Sequence, residues 1–195
     1  GLVIVPELTC LFEAQGFPRQ GGIQLALGTS LATILFTSLS SARAHHRNGF
    51  VDWSLVKRIT PGILVGTYLG GLVASRVDST VLKVVFTVFL GIVSLQMLSG
   101  AKPRPTRTLP GTTGTTGVGL AIGGISSWVG IGGGSMSVPF MLWCNVDPRR
   151  AVGTSAAIGF PIAFAGALTY IVNGLGAGTG VPYAVGYLHV PGLVG

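Results

Sequence analysis

Long apolar stretches without charged side chains alternate along the chain with short polar ones. No Asp, Glu, Lys or Arg lies within residues 20–42, 59–75, 84–101 or 108–146, and none follows Arg150. A helix needs about 20 mostly apolar residues to cross a hydrocarbon core about 30 Å thick, and several of these stretches are long enough. The pattern therefore predicts an all-α, polytopic membrane protein.

The ends of the apolar stretches predict the individual elements. Residues 1–12 are apolar but too short to span a bilayer, and Pro6 interrupts them. Two short pieces, 118–129 and 135–144, flank a glycine-rich turn at 130–134; at 1.5 Å per residue neither crosses the bilayer, so we expect a re-entrant hairpin of two half-helices. The remaining predictions are membrane helices at 24–42, 59–75, 80–98 and 151–172, a basic loop at 43–58 that includes His45 and His46, a loop at 173–180, and a further membrane segment from Tyr183.

Composition and charge agree with this class. Only 9% of the residues are charged, against roughly a quarter in soluble domains, and the mean hydropathy is +0.68. The net charge of +7 comes from Lys and Arg in predicted loops, as the positive-inside rule expects of cytoplasmic segments. No basic stripe interleaved with aromatic residues indicates nucleic-acid binding. Cys10 and Cys144 lack metal-site spacing, so we expect small hydrophobic roles, with no metal and no cofactor.

An internal repeat organises the chain. Four short matches occur in the same order: residues 1–8 with 134–141, 26–32 with 151–157, 48–49 with 173–174, and 60–62 with 190–192. The unit is a broken re-entrant hairpin plus three transmembrane helices. Because three is odd, the second copy is predicted to be inverted relative to the first. Residues 1–99 form the first repeat without its N-terminal part, 100–116 form a basic Pro/Gly linker, and 117–195 form a second repeat truncated at its C-terminus.

The distribution of basic loops agrees with an inverted repeat. The loop after the first helix and the linker are both basic and would share one side of the membrane. Arg149 and Arg150 would lie on that same, cytoplasmic side, while the loop at 173–180 carries no Lys or Arg. Inverted repeats with interrupted helices at matching positions are typical of secondary transporters, whose sites lie near the midplane.

Two neighbouring motifs carry a family resemblance. The run Gly130–Pro139, followed by Asp147–Ala157, resembles the signature of the sulfite exporter TauE/SafE family, also called the TSUP permeases. Val5–Pro6 and residues 26–32 carry a degenerate counterpart in the first half. The resemblance implies a permease that moves small sulfur-containing anions, such as sulfite or organosulfonates, across the cytoplasmic membrane by alternating access, without a cofactor. The family's opening and closing helices are absent from residues 1–195.

Helix N-termini are the predicted anion-binding groups. They offer unpaired N–H groups and a favourable dipole without a buried charge. We expect one half of an oxyanion site at the glycine turn and the following helix, and a symmetric half in the first repeat. Pro6 and Pro139 are predicted to break the half-helices. The candidate substrate-binding residues are Gly132, Gly133, Gly134, Ser135, Ser137, Thr154 and Ser155, with Gly28, Thr29 and Ser30 in the symmetric half.

Other interpretations of these residues stay open. Gly, Ser and Thr are also common at ordinary helix contacts in lipid. Glu7 and Glu13 are candidates for coupling a proton or ion to transport, although a solvated hairpin mouth is the favoured interpretation. A non-transporting membrane scaffold or assembly factor is the alternative function, and it would fill the glycine-turn cavity with bulky side chains. The chain contains no HExxH motif, nucleophile elbow or carboxylate pair, so no enzyme is expected.

Overall fold

The chain folds into packed helices. The computed structural model describes residues 3–14, 22–98, 109–177 and 186–189, and every regular element in these ranges is an α-helix. The helices Gly22–Arg47, Ser79–Gln96 and Pro148–Leu175 are long and apolar enough to cross a membrane. The elements are α1 (Ile4–Ala14), α2 (Gly22–Arg47), α3 (Trp53–Arg76), α4 (Ser79–Leu98), α5 (Thr112–Val129), α6 (Gly134–Trp143) and α7 (Pro148–Ala177).

The predicted bounds of the basic loop, residues 43–58, are wrong. Helix α2 continues to Arg47 and α3 begins at Trp53, so only residues 48–52 connect them. His45 and His46 therefore belong to the last helical turn, where basic side chains interact favourably with the helix dipole. Trp53 donates its indole N–H to His46 Nδ1 at 3.0 Å, and this bond ties the two helix ends together.

Two further boundaries differ from the prediction. Helix α5 begins at Thr112 within the predicted linker and has 18 residues; at 1.5 Å per residue it is about 27 Å long, so it is not a short half-helix. Helix α7 extends through Ala177, which makes the first part of the predicted loop at 173–180 helical. Residues 187–189 are not helical; the rest of the segment predicted from Tyr183, and linker residues 100–108, lie outside the described residues.

The helices also continue through the prolines that were predicted to break them. Pro6 lies in the first turn of α1, where the missing N–H would have no helical partner in any case. Pro139 lies inside α6, which runs on to Trp143. The prediction that Pro6 and Pro139 break half-helices is therefore wrong.

Helices α3 and α5 approach each other at their glycines. A Cβ built on Gly62 would lie 1.9 Å from Thr116 O, and one built on Gly66 would lie 2.1 Å from Leu120 O. On the facing helix, a Cβ on Gly119 would meet Ile59 O at 2.5 Å, and one on Gly123 would meet Ile63 O at 2.5 Å. Residue numbers rise together along both helices, so α3 and α5 run parallel. Small residues permit such close backbone contact in lipid.

Helices α2 and α7 run antiparallel across the core. Gly28 lies against Tyr170, Gly166 against Leu31, and Gly159 against Ser38. The end of α2 and the starts of α3, α5 and α7 therefore meet at one end of the bundle, where Thr116 Oγ1 also donates to Arg58 O at 3.0 Å. This end, called the basic end below, carries Arg43, Arg47, Lys57, Arg58, Arg149 and Arg150.

The opposite end holds the turn between α3 and α4. Asp78 precedes α4 and accepts the N–H of Thr80 at 2.8 Å. The backbone and hydroxyl bonds from Thr80 lower the pKa of the Asp78 carboxyl. Along α4, large apolar side chains such as Val84, Val88, Ile92 and Leu95 are exposed. A continuous apolar surface of this kind is what a helix facing lipid tails requires.

Candidate functional site

The glycine turn separates α5 from α6. Gly130 ends α5 in the left-handed region at φ 65°, and Gly133 precedes α6 at φ 73°. A side chain is disfavoured at both angles, which explains why glycine occupies positions 130 and 133. A Cβ on Gly133 would also lie 2.3 Å from Ile162 Cδ1, so the turn sits tightly against α7.

The first turn of α6 presents unused hydrogen-bond donors. Met136 and Ser137 donate their N–H groups to Gly133 O at 3.1 and 2.8 Å. Within the described part of the chain, the N–H groups of residues 132–135 donate no hydrogen bond. The buried Oγ of Ser135 is also without a partner there. Unpaired N–H groups at a helix N-terminus, together with the helix dipole, favour an anion.

A cavity of about 690 Å³ lies beside this turn. The start of α1 reaches the same cavity through Val3 and Ile4, so the N-terminal turns of α1 and α6 face a common space. The walls otherwise come from the C-terminal half of α2 and the N-terminal half of α7. The remaining lining residues are Ile34, Thr37, Ser38, Ser41, Ile131, Gly132, Gly134, Ser135, Val138, Val152, Ser155, Ala156 and Gly159.

A pair of serines connects α6 to α7 at the cavity wall. Ser137 Oγ lies 2.9 Å from Gly133 O and 2.9 Å from Ser155 Oγ. Its single proton satisfies only one of these acceptors at a time. When Ser137 donates to Ser155, the proton of Ser155 is available to a molecule in the cavity. Ser137 itself is fully buried, and it positions Ser155 rather than lining the space.

The structure brings some predicted site residues together and leaves others outside the cavity. Gly132, Gly134, Ser135 and Ser155 line it, whereas Gly133 and Ser137 lie directly behind them. Thr154 is fully buried at the basic end, where its Oγ1 accepts the N–H of Asp52 at 3.0 Å. The first-repeat residues Gly28, Thr29 and Ser30 do not line the cavity.

Each first-repeat residue instead contacts the backbone of another segment. A Cβ on Gly28 would lie 2.1 Å from Tyr187 O. Thr29 Oγ1 accepts the N–H of His189 at 3.0 Å, and Ser30 donates to Gly130 O at 3.1 Å. These small polar side chains let segments pack closely, which is the ordinary role of such residues in membrane helices. The first repeat reaches the cavity through the start of α1 and the C-terminal half of α2 instead.

Comparison with known proteins gives one consistent assignment. The profile of the family described as "Sulfite exporter TauE/SafE" matches residues 1–195. The chain belongs to the TauE/SafE family. A "probable membrane transporter protein" of Haemophilus influenzae is 33% identical over 197 residues, covering 100% of this chain and 74% of the relative. A relative with the corresponding name in Methanocaldococcus jannaschii is 30% identical over 200 residues, covering 98% of this chain and 70% of the relative. No solved structure matches the chain.

The predicted membership of the TauE/SafE family is thus confirmed, but sequence reasoning missed part of the cavity. Ser38 and Ser41 line it from α2, and nothing distinguishes them in sequence from the outward Ser40. Ser126 lies beside the turn without lining the cavity, and it was also missed: it is 2% exposed, its Oγ has no partner in the described residues, and this Oγ lies 3.6 Å from a Cβ built on Gly133. A serine one turn before the end of α5 could have signalled a second donor near the turn.

Replacing Thr154 with Val tests whether this residue is structural. Val keeps the shape but leaves the partly buried N–H of Asp52 without this acceptor, which costs about 1–3 kcal/mol of stability at most. We expect a lower thermal midpoint in detergent and an unchanged KM for transport, because Thr154 does not line the cavity. A raised KM at unchanged stability would instead show that Thr154 contributes to substrate binding, as the sequence predicted.

Proposed function

We propose that this TauE/SafE protein is a permease for small sulfur-containing oxyanions, sulfite or organosulfonates, in the cytoplasmic membrane. One observation carries the proposal: within the described residues the N–H groups of residues 132–135 and the Ser135 hydroxyl have no partner, and Gly132, Gly134 and Ser135 line a cavity between helices. Because such donors are dipoles rather than ions, they bind an anion without the cost of burying a permanent positive charge.

The geometry suits an oxyanion with several acceptor oxygens. Sulfite and sulfonate groups present three oxygens around one sulfur, and consecutive N–H groups at a helix start converge on such a group. Ser135 and Ser155 supply hydroxyl donors from two different helices. The start of α1 brings a second helix N-terminus to the same cavity, and its dipole also favours an anion.

Alternating access follows from the proposed inverted repeat. The equivalent helices α2 and α7 are antiparallel, as inversion requires. Their matched threonines also make matched bonds: Thr29 accepts an N–H from the segment after α7, and Thr154 accepts one from the segment after α2. Rocking of one repeat against the other would expose a central site to each side in turn. The basic end would face the cytoplasm.

The scaffold alternative is disfavoured by the lining of the cavity. A protein that no longer transports has no need of a space at the glycine turn, and close packing would fill it with large side chains. Here glycines and serines provide much of the wall nearest the turn, and the cavity remains open.

Flux into liposomes tests the proposal. The purified protein is reconstituted, and uptake of radiolabelled sulfite and methanesulfonate is compared with uptake by protein-free liposomes. We expect saturable uptake in which each of the two anions inhibits the other. Phosphate and chloride are the comparison anions. Uptake no faster than in protein-free liposomes for all four anions would contradict a permease and favour the scaffold.

A further inference from the structure

A second cavity lies at the basic end of the bundle. Its volume is about 460 Å³, and its lining residues are His45, Phe50, Pro148, Arg149 and Val152. It is bounded by the end of α2, the connection at 48–52 and the first turn of α7. None of these residues belongs to the glycine turn, and of the five only Val152 also lines the cavity beside that turn.

Val152 lines both cavities. It therefore lies where the glycine-turn cavity and the cavity at the basic end adjoin. Helix α2 forms the facing wall of both spaces: Ser38, Ser41 and His45 lie three or four residues apart and so share one helical face. A polar strip thus runs along α2 from the glycine turn to the basic end, opposite an apolar residue of α7.

Two basic residues belong to the wall of the outer cavity. The wall surface is almost entirely apolar, and Arg149 and His45 are the residues in it that carry basic side chains. The nearest carboxylate, Asp147, accepts the N–H groups of Arg149 and Arg150 at 2.9 and 3.3 Å. Asp147 is thus engaged as the N-cap of α7, and the other carboxylate at this end, Asp52, likewise caps α3 through Ser54 and Leu55.

We propose that these two cavities are the cytoplasmic access route of the permease, with Arg149 and His45 as the residues that first receive the anion and Val152 as the constriction before the glycine turn. This inference rests on the proposed anion transport. The anion would enter between α2 and α7, exchange contact with Arg149 for the hydroxyls of Ser41 and Ser38, and reach Ser135. A positive residue at the mouth raises the local anion concentration, and salt screens this effect.

Replacing Arg149 by Gln tests whether this residue receives the anion at the cytoplasmic entrance of the route, with Arg150→Gln as a matched control. Both substitutions remove one positive charge from the same helical turn, but only Arg149 lines the cavity. We expect Arg149→Gln to raise the KM for sulfite about tenfold at low salt, with kcat nearly unchanged, and to weaken the dependence of KM on ionic strength. Arg150→Gln should change neither by more than about twofold. Equal effects of the two substitutions would overturn the assignment of Arg149.

Chemical accessibility tests the route without relying on transport. In a Cys10→Ser, Cys144→Ala background, Val152→Cys is treated with a membrane-impermeant, negatively charged methanethiosulfonate reagent in open membrane sheets. Val172→Cys is the control, because Val172 lies on the same helix, is 59% exposed and lines neither cavity. We expect labelling at position 152 and little at 172, since an ionic reagent does not enter lipid.

The two measurements separate the two proposals. Labelling at position 152 that sulfite slows, together with the effect of Arg149→Gln on KM, supports the route. Normal sulfite flux in the parent protein with no labelling at 152 would overturn the route and leave the permease proposal intact. Labelling at 152 that sulfite does not slow, with no flux of any anion, would overturn both proposals. The cavity would then be open to water but would neither bind nor conduct anions.

Discussion

Replacing Gly66 with Ala is expected to destabilise the helix bundle by about 2 kcal/mol or more. The new Cβ would lie 2.1 Å from Leu120 O and 2.8 Å from Leu120 Cα, and both are backbone atoms of α5. Backbone cannot turn aside as a flexible side chain can, so α3 and α5 must separate along their contact. Overpacking of a close contact typically costs 1–3 kcal/mol, and it outweighs the gain of about 1 kcal/mol that Ala brings to a helix interior.

Gly91→Ala is the matched control for this loss. Gly91 lies inside α4, and a Cβ built there meets nothing within 4 Å. We expect a thermal midpoint in detergent that is unchanged or slightly raised, because the helix gains propensity without a clash. The measurement is the fraction of protein that remains monodisperse after heating, for the parent and both variants. Equal midpoints for Gly66→Ala and Gly91→Ala would show that the contact between α3 and α5 is loose.

The sequence was sufficient to predict the membrane class and the location of the glycine turn. Charge-free stretches determine where helices can cross lipid, and a run such as Gly130–Gly134 is incompatible with an uninterrupted helix. Helix ends were less predictable. Arg43, His45, His46 and Arg47 are polar, but they remain helical because basic side chains at a C-terminus stabilise the last turn while their polar ends reach water. The first polar residues of this segment therefore indicate where the chain leaves the lipid, but they do not indicate where helix α2 ends.

The cavity wall was only partly predictable for a different physical reason. Small polar residues serve two opposite purposes in membrane helices, because they permit close packing and they also line polar spaces. Thr29 and Ser135 are of similar chemistry, yet Thr29 is buried against His189 while the Ser135 hydroxyl is unpaired beside the cavity. The difference depends on which face of each helix meets its neighbour, which follows from the crossing of α2 and α7. The inverted repeat itself stays a prediction supported by these contacts.

Filling the site at Ser135 should have the largest effect on transport. Ser135→Leu places an apolar side chain of greater volume beside the N–H groups of residues 132–135, where the anion is proposed to bind. The variant should fold, because Ser135 belongs to the cavity wall and the larger side chain can extend into the cavity. We therefore expect sulfite flux to fall to the level of protein-free liposomes while the thermal midpoint stays near that of the parent. The matched control is Ser40→Leu, an exposed position on α2 outside the cavity.

Ser135→Ala separates the hydroxyl from the backbone donors. Ala leaves the N–H groups free and removes only the Oγ, whose hydrogen bond to a charged ligand is worth about 1.5–3 kcal/mol. Because 1.4 kcal/mol corresponds to a factor of ten in affinity, we expect KM for sulfite to rise about tenfold or more, with flux still saturable. A graded series, from the parent through Ala to Leu, is the signature of direct contact with the anion. Parent-like KM and flux in both variants would show that the substrate passes elsewhere. A leucine at position 135 would weaken the binding of any anion at the start of α6.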